Sequence, residues 1–92
     1  MNKKDLIANV AEKTNQSVAN CTEVVNALFN EIVTAVESGE SVSIVGFGTF
    51  EKKFRDERTG RNPSNGEPIV VKASYVPKFK AGKAFKDRVS GS

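Results

Sequence analysis

Between Phe54 and Ile69 runs RDERTGRNPSNGEP, fourteen residues without one side chain able to anchor a hydrophobic core. Strand-like segments flank it, TFEKKF before and IVVKASYVPKF after. The simplest geometry for such a run is a long hairpin that leaves the body of the protein. Asn65-Gly66 is a strong turn signal, and Pro63 interrupts regular strand pairing. At about 3.3 Å per residue, about ten residues per leg would reach roughly 30 Å. An isolated two-stranded ribbon is marginal in water, so this one is expected to need something to lie on.

What remains for a core is thin. The chain has 92 residues, 38% of them hydrophobic, which suits one small domain over 1–92. Its helical, dimerising part is expected at about 1–40, with sheet, arm and a last helix over about 41–92. Domains this small are often stapled by disulfides, a metal or a second subunit. Cys21 is the only cysteine and histidine is absent, so neither a disulfide within the chain nor a metal centre is expected. A second subunit remains.

The first forty residues read as two helices. Leu6, Ile7, Val10 and Ala11 mark one face of a helix over 3–13, with Asn2 as cap and Asp5 completing a capping box. Ser17 caps a longer helix, about Val18 to Ser38, stopped by Gly39. Its apolar residues are Val18, Cys21, Val24, Val25, Leu28, Phe29, Ile32, Val33 and Val36. At about 100° per residue they cover an arc of about 180°. That is wider than one neighbouring helix needs, and a second copy of the chain would use the remainder. Cys21 reads as a small buried side chain within this stripe.

Strands follow. SVSIV alternates, with Val42 and Ile44 on one face, and GFG at 46–48 permits a tight turn. Phe50 and Phe54 share a strand face, and Val76 and Phe79 are expected to pack back on the body. AGKAFKDRV should form a last short helix carrying Ala84, Phe85 and Val89, with a frayed tail over 90–92.

Charge divides along the chain. Residues 1–45 hold three lysines against six acids, a net of −3, and residues 46–92 hold eleven cations against five acids, a net of +6. That polarity suggests a polyanion partner for the second half. Lys52, Lys53, Arg55, Arg58 and Arg61 lie on the first leg of the hairpin and Lys72 on the second. Lys78, Lys80, Lys83, Lys86 and Arg88 lie beyond it. Guanidinium groups bind phosphate bidentately and are drawn to the potential of a narrow minor groove. Lysines on the body would suit flanking backbone. Pro63, rigid and apolar, either shapes the turn or wedges between base pairs.

GFGTF, Arg55, and RTGRNP with Gly66 beyond it resemble the bacterial HU and integration-host-factor family of DNA-bending proteins. MNKKDLIANVAEKT and VPKFKAGKAFKDRV are similar to that family's ends, so the likeness covers nearly the whole chain. It implies an α+β fold: an intertwined dimer with a helical base, a short antiparallel sheet and a protruding β-ribbon arm per subunit. The arms would embrace DNA in the minor groove. The family pattern places the kinking wedge at Pro63, beside Asn62, and the arm cations at Lys53, Arg55, Arg58 and Arg61. It places backbone-contacting lysines at Lys3, Lys83 and Lys86, with Lys78 and Lys80 as further candidates, and Lys72 on the second leg is added from its charge. The chain departs from the pattern at Asn65, where relatives usually carry threonine, and in SVANCT, which lacks their lysines.

The expected function is therefore histone-like binding and bending of double-stranded DNA with little sequence specificity. Bent, nicked or gapped duplex would be preferred, because it lowers the cost of distortion. The alternative inside the family is a site-specific architectural protein of the integration-host-factor type, acting as a heterodimer with a paralogue. Val45, before GFG, supplies no cation and favours the nonspecific type. Catalysis is not expected without histidine, a metal set or paired carboxylates in a cleft. No cofactor or small-molecule substrate is expected. MNKKDLIANV has no secretory apolar run, and no stretch approaches the roughly 20 apolar residues of a membrane span. The expected location is cytoplasmic and nucleoid-associated.

Overall fold

The structure, a computed structural model, describes residues 1–91. Its elements run α1 (Lys3–Thr14), α2 (Val18–Glu37), β1 (Val42–Ile44), β2 (Gly48–Arg55), β3 (Arg58–Arg61), β4 (Pro68–Val71), β5 (Ser74–Ala81) and α3 (Lys83–Ser90). The fold is α+β, and the chain divides into two compact units, Met1–Thr34 and the chain from Ala35 onward.

In the first unit, α1 begins with a reciprocal cap. Asp5 N–H donates to Asn2 Oδ1 at 2.9 Å and Asn2 N–H donates to Asp5 Oδ2 at 3.1 Å. The carboxylate also suits the positive end of the helix. Asn15 ends α1 in the left-handed conformation, its N–H shared between the Ala11 and Glu12 carbonyls. Ser17 caps α2 as its side chain requires, accepting from Asn20 N–H at 3.0 Å. Ile7, Ala11 and Cys21 form the buried cluster, with Val25 packed against it. The α1 stripe is therefore only half used: Leu6 and Val10 stay exposed. The wide α2 stripe is open on both flanks, with Val24 and Leu28 exposed on one side and Val18, Phe29 and Val33 on the other.

α2 stops at Gly39, which takes φ +98°. Glu40 N–H donates to Ala35 O at 2.9 Å and Gly39 N–H to Val36 O at 3.0 Å. This paired closure satisfies two of the carbonyls a helix C-terminus leaves open.

The second unit is built on a three-stranded antiparallel sheet in the order β1-β2-β5. The β1–β2 turn bends at Gly46, φ +80°, and Phe47 N–H closes it on Ile44 O at 3.0 Å. β2 and β5 pair without a bulge from Gly48↔Ala81 to Arg55↔Ser74. Side chains alternate along a strand, so Phe50, Lys52 and Phe54 share one face with Tyr75, Pro77 and Phe79. Phe50 and Phe79 rings lie 4.7 Å apart, and Phe47 stacks on Phe85 of α3 at 5.1 Å. Val76 does not join Phe79 in packing on this face. Three positions apart, the two must point to opposite sides. Pro77 is tolerated because β5 is an edge strand.

The hairpin leaves the sheet in two segments. β2 and β5 stop at Arg55 and Ser74, and a separate pair, β3 with β4, runs from Arg58↔Val71 to Arg61↔Pro68. Asp56–Glu57 and Lys72–Ala73 interrupt the two legs at the same level, and the register is the same on both sides of the gap. The tip is not the two-residue turn that Asn65-Gly66 suggests. Gly66 alone takes positive φ, +72°, and its N–H reaches back to Asn62 O at 2.7 Å, so the loop spans Pro63 to Gly66. Ser90 is not part of a frayed tail. It is the last residue of α3, its Oγ donates to Asp87 O, and Gly91 caps the helix at φ +80°. Ser92 lies outside the described residues.

Candidate nucleic-acid interface

The alternation that gathers the aromatics on one face of β2 and β5 gathers cations on the other. Lys53 stands opposite Val76, Arg55 opposite Ser74, Lys78 opposite Glu51 and Lys80 opposite Thr49. Lys53, Arg55, Lys78 and Lys80 thus share one sheet face, all exposed, with Glu51 its only acid between Gly48 and Arg55. None of the four takes part in the one salt bridge found among the described residues.

The distal ribbon distributes its arginines differently. Arg58 lies across from Val71 and Arg61 across from Pro68. The face with Arg58 also carries Ile69 and Val71, which close over Gly60; a Cβ there would meet them at 3.9 and 3.7 Å. Arg61 is on the opposite face with Thr59 and Val70. Its Nη1 donates to Gly66 O at 2.9 Å, bracing the tip.

The tip holds its own shape through its asparagines. Asn62 Oδ1 accepts from Ser64 N–H at 2.9 Å, and Asn65 Oδ1 accepts from Glu67 N–H at 2.9 Å. Side-chain acceptors two residues upstream replace the missing ladder partners. Asn65 therefore builds the loop locally, which a β-branched residue could not do with a carbonyl oxygen. Pro63 is exposed at this end.

Lys72 lies exposed in the gap between β4 and β5. Lys83 and Lys86 lie exposed on the first turns of α3, but only Lys86 is unengaged by an acid: Lys83 Nζ is 2.7 Å from Asp87 Oδ2. Gly82 N–H donates to Phe47 O at 2.8 Å, tying the start of α3 to the β1–β2 turn. Lys3 belongs to the first unit, with its ammonium 5.9 Å from the Phe29 ring centre. Sequence reasoning grouped Lys52 with the arm cations by proximity. Strand parity separates it from them, and that signal was present in the spacing from Phe50 and Phe54.

Among the described residues no group of three or more His, Cys, Asp or Glu could hold a metal ion, and no helix is long and apolar enough to cross a membrane. What the site offers is a protruding ribbon, a cationic sheet face leading to it, and a polar tip that exposes one rigid apolar ring, Pro63.

Residues 1–90 match the family described as bacterial DNA-binding protein, and the chain belongs to that family. Within it, the chain is similar to proteins named DNA-binding protein HU. It is 50% identical over 92 residues to that of Xylella fastidiosa (strain Temecula1), covering 100% of this chain and 98% of the relative. It is 46% identical to HU 1 of Bacillus subtilis (strain 168), covering 99% of each. Among solved structures, Anabaena HU in a cocrystal with DNA superposes with a TM-score of 0.91 at 41% identity, covering 100% of both chains. HU of Thermotoga maritima gives 0.69 at 34% identity, covering 97% of this chain and 98% of the other.

Proposed function

We propose that this chain is a histone-like protein that binds double-stranded DNA as a dimer and bends it, with little regard for sequence. The observation that carries the reading is the continuous path from the exposed face of Lys53, Arg55, Lys78 and Lys80 to a ribbon bearing exposed Arg58 and Arg61 and ending in exposed Pro63. The likeness to an HU solved with DNA supports it.

The mechanism follows from charge and shape. Cations on the sheet face neutralise phosphates and release counterions, which gives affinity without reading bases. Arg58 and Arg61 reach the groove, whose pattern distinguishes little beyond A·T from G·C. Pro63 enters a base step, where its ring brings no N–H that would need a partner. Bending a site of 20–30 base pairs costs about 1–6 kcal/mol, and the flanking contacts of Lys3, Lys72, Lys83 and Lys86 offset it. Asn62 holds the loop that presents Pro63.

The open apolar surface calls for a second subunit. Among the described residues the buried hydrophobic side chains are only Ile7, Ala11 and Cys21, while Val24, Leu28, Phe29 and Val33 of α2 are exposed. Burying a large aliphatic side chain contributes about 1.5–3 kcal/mol, and of the three only Ile7 is one, which is little against the entropy of ordering a chain of this length. A second copy supplies the rest. We assign the protein no catalytic role and place it on the bacterial nucleoid.

The test uses intact and nicked duplexes of random sequence carrying a FRET pair at their ends. The protein should bind both, shorten the end-to-end distance and bind the nicked duplex more tightly, because its kink is already partly made. A duplex left straight at saturation would end this reading.

A further inference from the structure

We propose that Lys52 is a positioning residue for DNA bending: a strut that ties the proximal ribbon to the last turn of α2. This rests on the reading that the ribbon grips DNA, and it adds a residue that makes no contact with the duplex.

Three contacts support it. Lys52 Nζ donates to Glu37 O at 3.0 Å. The same ammonium stands 4.4 Å from the centre of the Tyr75 ring. Tyr75 in turn meets Phe54 edge-on, with ring centres 5.2 Å apart and planes at 63°. The Ala35 and Val36 carbonyls at the end of α2 are occupied by the Glu40 and Gly39 amides, and the helix has no basic residue in its last turn. Lys52 supplies the missing cation from the sheet, where the negative end of the helix attracts it.

Position on the strand assigns the role. Lys52 lies opposite Pro77, on the face with Phe50 and Phe54, whereas Lys53 and Arg55 point to the other face. Adjacent lysines on one strand thus do different work: Lys53 faces phosphate, and Lys52 faces inward to helix and ring. Phe54 and Tyr75 form the last β2–β5 pair but one before the gap, so the strut acts near the root of the distal ribbon.

The test compares Lys52→Met, which keeps the stem and removes the charge, with Lys52→Arg, which keeps both. In the free protein, hydrogen exchange of the β2–β5 ladder amides flanking the Phe54–Tyr75 pair should quicken about two- to fivefold in Lys52→Met, the equivalent of one exposed cation–π contact. On DNA, the FRET-reported bend should fall in Lys52→Met and return in Lys52→Arg. The slope of log affinity against log salt should not move, whereas loss of a phosphate contact in both copies would lower it by about 1.8. Tyr75→Leu should reproduce the defect and Tyr75→Phe should not. Unchanged exchange in Lys52→Met, or a slope lowered by a full phosphate contact, would overturn the strut. Failure of the wild-type protein to bend DNA would instead overturn the functional reading, because the exchange measurement needs no DNA.

Discussion

Arg58 and Arg61 occupy opposite faces of the same two-stranded ribbon, one across from Val71 and the other across from Pro68. The two guanidinium groups therefore leave the ribbon on different sides. Arg61 also braces the tip through Gly66 O, which Arg58 does not.

Replacing either arginine by alanine removes one phosphate contact from each of the dimer's two arms and should lower the salt slope of binding by about 1.8, about 0.9 per contact. The double variant should lose the sum, because the two side chains share no partner. Titrations at several salt concentrations check this. A slope that changes for only one of them would mean that only one face touches DNA.

Pro63→Ala should reduce bending more than affinity. The loop is closed by Gly66 N–H on Asn62 O and shaped by the Asn62 side chain, and neither needs the proline ring. Alanine therefore leaves the fold of the tip in place and removes the wedge. End-to-end FRET read beside a binding isotherm separates the two quantities, and an unchanged bend would remove Pro63 from the mechanism.

Leu28→Glu should break the dimer. Leu28 is 53% exposed in the single chain, on a flank of α2 that nothing in its own unit covers. A carboxylate buried there without a partner would cost about 3 kcal/mol or more. Light scattering after size exclusion should then report the mass of one chain. Wild-type melting should depend on protein concentration, as expected when folding and association are coupled.

Gly48→Ala should destabilise the sheet, whereas Gly60→Ala should not. A Cβ on Gly48 would stand 2.5 Å from Lys80 O and 2.6 Å from the Phe79 ring, while one on Gly60 meets Val71 and Ile69 at ordinary contact distances. Overpacking of this kind costs about 1–3 kcal/mol, and each kcal/mol lowers Tm by about 4–8 °C in a domain of this size. Thermal melts of the two variants at one concentration provide the comparison.

The helices were legible because their signals are local. Asn2 with Asp5, Ser17 and Gly39 each act within a few residues, and each does in the fold what its chemistry predicts. The ribbon was legible as a region but not in its details. Its interruption at Asp56–Glu57 has no breaker residue, and the tip bends through an asparagine side chain and a glycine four residues apart. Within the candidate site, residue type identified the cations, but only strand pairing could sort them. Lys52 and Lys53 are chemically identical neighbours, and the difference between them is which way the pleat turns each one.

The gap between the two ribbon segments has a mechanical consequence. Both legs skip two rungs at the same height, and the count of partners resumes beyond the gap without a slip. A joint without ladder bonds resists bending less than the paired strands on either side of it, while every residue keeps its opposite number. The direction in which the tip points is thus decoupled from the register that fixes which side chains share a face.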